Sequence, residues 1–142
     1  MKKKVLAPEF WQFVMDSSSL INIQKKAGIK ALEKHKGQIL IPESVAREVA
    51  DDPRVHKDDP LKKFVENNRE LVTSLKDEEE EEYLLIASQQ GIDPGEAGAM
   101  AIALKRKLPL VIDERETKAR GKANNHGIKT LSWSDFLNGK HP

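Results

Sequence analysis

The chain has 142 residues, 38% of them hydrophobic and 33% charged, with 24 Lys and Arg set against 23 Asp and Glu. That length suits one domain, residues 1–142, with a sizeable core, and the near-neutral balance means that any contact with nucleic acid must be local. No run is long and apolar enough to cross a membrane, and the absence of cysteine excludes a disulfide framework, a thiolate zinc site and a cysteine nucleophile.

The chain-order reading starts from Met1-Lys2-Lys3-Lys4, whose following apolar stretch is cut by Pro8 and Glu9. It does not read as a signal peptide, and a cytoplasmic location is expected. Phe10 to Met15 reads as a buried strand, followed at once by Asp16. Ser17, Ser18 and Ser19 offer N-cap hydroxyls to a helix carrying Leu20, Ile21, Ile23 and Ala27. Gly28 interrupts it, and a short second helix ends at Gly37. Gln38 to Ile41 is a second strand, and Pro42 opens a helix in which Val45 and Val49 face inward. Residues 51–60, charged and twice broken by proline, form a loop. A helix through Leu61, Phe64 and Val65 follows, then a strand within Glu70 to Leu75 and a helix over Asp77 to Gln90. Asp93-Pro94-Gly95-Glu96 opens the most apolar helix, Ala97 to Lys105. A strand–helix–strand unit fills Leu108 to Leu131, and Ser132 or Ser134 caps a last short helix. Strands alternating with helices predict a mostly parallel sheet covered on both faces, a three-layer α/β/α sandwich.

Four acids carry the chemistry. Asp16 and Asp113 each follow an apolar strand and so stand at the carboxyl rim of the sheet, where such folds place ligands. Glu48 and Glu96 lie in helices that enter or leave that rim. Four converging carboxylates repel one another unless a divalent cation neutralises them, so Mg²⁺ or Mn²⁺ and phosphodiester chemistry are expected. Ser18, Arg115, Lys118 and Arg120 are candidate phosphate contacts, with Lys122 beside them on the same helix. The four histidines are scattered without ligand spacing.

Each residue also has a structural reading. Asp16 and Asp113 suit turns or helix caps, and Asp93, Pro94 and Glu96 match a capping box. Glu48 suits a solvated helix face, Ser18 a cap, and the cations after Asp113 a solvated face. The acids from Asp77 to Glu82 suit the first turn of a helix. Trp11 and Trp133 suit packing.

Four segments in order resemble the PIN-domain ribonucleases, especially the branch similar to toxins of type II toxin–antitoxin pairs. They are Met15-Asp16-Ser17-Ser18-Ser19-Leu20-Ile21, Ile41 to Val49 around Glu48, Gly95-Glu96-Ala97-Gly98-Ala99 and onward to Ala103, and Val111-Ile112-Asp113-Glu114-Arg115. The resemblance spans about Val14 to Leu131. It implies an endoribonuclease for single-stranded RNA, with Asp16, Glu48, Glu96 and Asp113 holding one or two ions, a pair lying ~3.5–4 Å apart. In-line attack by water would leave a 5′-phosphate and a 3′-hydroxyl. The resemblance further implies a homodimer, for which Phe64, Leu84 and Leu85 are candidate contacts, and an antitoxin segment whose Arg or Lys replaces the cation. Two features depart from the pattern. Gly98 stands where relatives often carry a second acid, a contact that Asp93 is placed to supply, and Met1 to Glu9 form a long lead-in.

A non-catalytic binding module with a site left incomplete at Gly98 is the alternative. A phosphoacceptor receiver domain would need an adjacent acidic pair after the first strand, and three serines follow Asp16 instead.

Overall fold

The computed structural model describes residues 11–52, 59–113 and 115–142. Five strands form one all-parallel sheet in the order β3-β2-β1-β4-β5: β1 is Phe13–Met15, β2 Ile39–Pro42, β3 Val72–Thr73, β4 Leu110–Val111 and β5 Thr130–Leu131. Phe13 pairs with Ile39 on one side of β1, and Met15 with Val111 on the other. The chain leaves β1 leftward for β2 and β3, then returns across the sheet to β4 and β5. Right-handed crossovers then put the helices of the leftward steps on one face and those of the rightward steps on the other. The reversal leaves a crevice at the carboxyl ends of β1 and β4, a topological switch point. Asp16 and Asp113 both follow strands that end there.

Helix α1 runs Ser17–Ala27 and α2 Ile29–His35; a 3₁₀ turn over Lys36–Gln38 then leads into β2. Helices α3 (Glu43–Asp51) and α4 (Pro60–Asn67) precede β3. Helices α5 (Asp77–Ala87) and α6 (Pro94–Arg106) carry the chain back to β4, α7 (Thr117–Asn125) joins β4 to β5, and α8 (Trp133–Leu137) ends the fold. The α6 helix packs hardest. Gly95 and every residue from Ala97 to Ala103 are buried, and small side chains let α3 and α5 come close.

The elements follow the sequence pattern with local corrections. The first strand starts at Phe13, since Gln12 is exposed; Phe10 and the lead-in Met1 to Glu9 lie outside the described residues, as does most of the expected 51–60 loop. The α1 cap is not one of the three serines. Asp16 itself takes it, accepting the Ser19 backbone N–H at 2.8 Å. Ser19 instead points inward, and its hydroxyl donates to the Val111 carbonyl at 3.2 Å, tying α1 to β4. The expected Asp77–Gln90 helix stops at Ala87, and the α6 helix begins earlier, at Pro94. Phe64 is buried in the core at 2% exposure, so it is no surface contact, whereas Leu84 and Leu85 are 68% and 65% exposed.

One polar anchor sits away from the sheet rim. Glu79, 2% exposed, receives Arg106 Nε at 2.8 Å and Nη2 at 3.0 Å, and Arg106 Nη2 also reaches the Thr73 hydroxyl at 3.0 Å. This fork joins the first turn of α5 to the last turn of α6 and to β3. In the acidic run Asp77–Glu82, Glu79 is therefore a buried partner rather than one more charge on a solvated turn.

Candidate active site

A cavity of about 190 Å³ opens at the switch point, and Asp16, Ser17, Ser18, Glu48, Asp93, Gly95, Glu96 and Glu116 line it. It draws on the end of β1, on α3, on the first turn of α6 and on the start of α7. Three of the four expected acids are brought together here. The fourth, Asp113, lines an adjoining cavity of about 490 Å³ with Ser18, Asn22, Lys25, Lys26, Arg115 and Glu116. Ser18 and Glu116 border both spaces.

Each acid is held differently. Asp16 is 9% exposed, and burial pushes its carboxyl up to about 6, against the two Ser19 contacts that favour the charged form; Glu116 and Asp113 push it the same way as burial. Glu96 is pushed up to about 7 by burial and then by the charge of Asp93, with Glu116 and Asp16 adding to it. Burial also raises Glu48, while the Ser17 hydroxyl, donating to its Oε2 at 2.9 Å, works against the rise. Asp113 goes the other way. Arg115 holds its carboxyl below the usual range through Nη2 at 3.1 Å and Nε at 3.3 Å, helped by the Arg115 backbone N–H at 3.0 Å and by the Asn22 side chain.

Two local devices set the geometry. The α6 cap is Asp93, whose Oδ1 accepts the Glu96 backbone N–H at 2.8 Å. The cap therefore uses the Glu96 backbone. Gly95 makes room for Glu48: a β-carbon built there would collide with the Glu48 carboxyl. Only a residue with no side chain lets α3 deliver that acid to the α6 N-terminus.

The donor set fits a hard divalent cation. It is all carboxylate oxygen, and two of its members, Asp16 and Glu96, are pushed toward protonation by burial and by neighbouring carboxylates, which a cation would relieve. The cage is not closed, because among the described residues no group of three or more Asp, Glu or His stands at ligating distance. Asp113 accepts four internal hydrogen bonds, and Glu48 accepts one from Ser17.

The sequence matches the family described as a PIN domain over residues 12–132. The chain belongs to the PIN-domain family. That family generally comprises nucleases, and the match spans all four acids. A solved structure, the crystal structure of PAE2754 from Pyrobaculum aerophilum, superposes with a TM-score of 0.63 at 18% identity, covering 90% of this chain and 95% of that one. At that identity the likeness shows a shared fold. A comparison with curated proteins gives no match.

In this PIN domain, several site residues carry no advance signal. Glu116 was not among the expected site residues, yet it borders both cavities. Asn22, Lys25 and Lys26 sit one to two turns beyond Ser18 on α1, a spacing that could have placed them beside it. Of the expected phosphate contacts, Ser18 and Arg115 line the cavities, while Lys118 and Arg120 lie on α7 outside both linings. The chain has no helix among the described residues long and apolar enough to cross a membrane.

Proposed function

We propose that this PIN domain is a metal-dependent endoribonuclease for single-stranded RNA, of the toxin type. The observation that carries the reading is the cavity in which Asp16, Glu48 and Glu96 meet at the switch point with Asp113 adjoining. Mg²⁺ or Mn²⁺ held by these acids would supply the positive charge that acidifies an attacking water and stabilises the departing 3′ oxygen. The chain's own groups do the rest. Lys25, Lys26 and Arg115 offer cations to the backbone phosphates beside the acids. Asp16 is fixed at the helix cap and Glu48 by Ser17, so both are aimed before substrate arrives. Arg115, with its side chain 77% exposed over the buried Asp113 carboxylate, can turn to a phosphate once an ion takes its place on that carboxylate.

The toxin role brings partners. The exposed Leu84 and Leu85 on α5 support a homodimer, and the acidic cavity suits an antitoxin segment bearing Arg or Lys. A non-catalytic binding module is the second reading, favoured by the open arrangement of the acids. Incubating the purified chain with single-stranded RNA in Mg²⁺, Mn²⁺ or EDTA separates the two. Cleavage only with the ion, leaving 5′-phosphate ends, supports the nuclease. Intact RNA in every tube sinks it.

A further inference from the structure

A third cavity, of about 300 Å³, lies over the carboxyl ends of β2 and β3, lined among others by Pro42, Ser44, Leu75, Tyr83, Gly98 and Ile102. We propose that it is a nucleobase subsite for the nucleotide flanking the scissile phosphate, with the Ser44 hydroxyl reading the edge of the base. The inference rests on the ribonuclease reading above.

Four observations carry it. The first is continuity with the acids. Ser44 and Glu48 are four residues apart on α3 and share a face. They meet Gly98 and Gly95 of α6, three residues apart, each acid or hydroxyl resting where the glycine has no side chain. The two cavities are therefore offset by only ~4.5 Å along the α6 axis. A strand whose phosphate lies by Glu48 and Glu96 reaches this cavity with the next base.

The second is an unmet hydrogen bond. Ser44 Oγ is buried and has no hydrogen-bond partner among the described residues. A buried hydroxyl left so costs stability, and it marks a place where a bound group completes the bonding.

The third is shape. Pro42, Leu75 and Ile102 give apolar walls, Tyr83 a ring, and Gly98 a flat floor. A β-carbon at Gly98 would stand 2.5 Å from Ser44 Oγ and intrude on that floor. The volume is at the small end for ligand pockets, enough for one ring system.

The fourth is charge. Glu43 and Glu80 stand at the rim, and the nearest cation, Arg47, is paired with Glu43. A phosphate is repelled here and a neutral heterocycle is not. The opposite flank adds Lys25 and Lys26 to Glu116 and the Asp113–Arg115 pair, and so is the more basic side. The substrate thus runs across the rim with phosphate on the β4 side and base on the β2–β3 side. Gly98, lying against Ser44 without a side chain, keeps the base pocket open.

The test is a ¹⁵N–¹H NMR titration of the ion-free chain with each of the four ribonucleoside 5′-monophosphates. One of them should saturate with shifts at Ser44, Leu75, Gly98 and Ile102. Ser44→Ala, which removes only the orphan hydroxyl and leaves circular dichroism unchanged, should weaken that nucleotide by about tenfold, toward the level of the others. Gly98→Ala should weaken all four. Shifts confined to Lys25 and Lys26, no saturable shifts, or a nucleotide preference that survives Ser44→Ala would each overturn the subsite. An RNA cleavage assay in Mn²⁺ runs in parallel. Nucleotide binding without cleavage removes the ribonuclease reading and leaves the pocket standing; cleavage without nucleotide shifts does the opposite.

Discussion

Gly95 and Glu48 occupy complementary space: the carboxyl of one lies where the other lacks a β-carbon. Glu48 is half-buried and can swing outward, so Gly95→Ala should move it out of the cavity instead of straining the core. Stability should change by no more than about 1 kcal/mol, at the low end of overpacking costs. Mn²⁺ affinity should fall by about 10–100-fold, as for loss of a supporting contact. Thermal melts and Mn²⁺ titration of the same sample read the two effects separately.

Asp16→Asn and Asp113→Asn should both abolish cleavage, yet move stability in opposite directions. Asparagine caps a helix as well as aspartate, and it removes a charge that burial disfavours. Without metal and above pH 6, Asp16→Asn should therefore stabilise by about 1–3 kcal/mol. Asp113 is a satisfied carboxylate with Arg115 and Asn22 upon it. Its replacement should cost about 1–3 kcal/mol. Denaturant melts in EDTA report the signs.

The ion-free protein should lose stability as pH rises from about 4.5 to about 7. Asp16 and Glu96 hold protons in the folded state up to about 6 and about 7, while the unfolded chain releases them near 4. Over that window the folded state binds more protons, so the free energy of unfolding falls with pH. Asp113 and Glu79, both held below their ordinary range, oppose this only near and below pH 4. Mg²⁺ should flatten the decline. A melting temperature in EDTA that climbs steadily from pH 4.5 to 7 would contradict the burial of these acids.

Arg106→Met is the control away from the site. It strands Glu79 without its partner, and breaking a buried pair on one side costs about 3–5 kcal/mol. Melting should drop sharply while Mn²⁺ affinity of the folded protein stays unchanged.

Much of the fold was legible because apolar runs ending in Asp are informative. Met15-Asp16 and Ile112-Asp113 marked the rim, and the alternation of strands with helices marked a parallel sheet, which is wholly parallel. What could not be read is tertiary. The sequence offered both Asp16 and the serines as the α1 cap; Asp16 takes it, and the burial of Ser19 against β4 could not be foreseen. Phe64 is expected as a dimer contact on the strength of the resemblance, and the packing of α4 buries it. Gly95 reads as a helix-start residue until α3 is laid against it. Lys25 and Lys26 look like ordinary last-turn cations until α7 begins beside them.

The most direct measurement is calorimetric titration of Mn²⁺ into the wild-type chain and into Asp16→Asn at neutral pH. The account predicts saturable binding with partial proton release in the wild type, since Glu96, raised to about 7, must give up its remaining proton to an ion, and binding weakened by at least about tenfold in the variant. Equal affinity in the two proteins, or no saturable binding in the wild type, would contradict it.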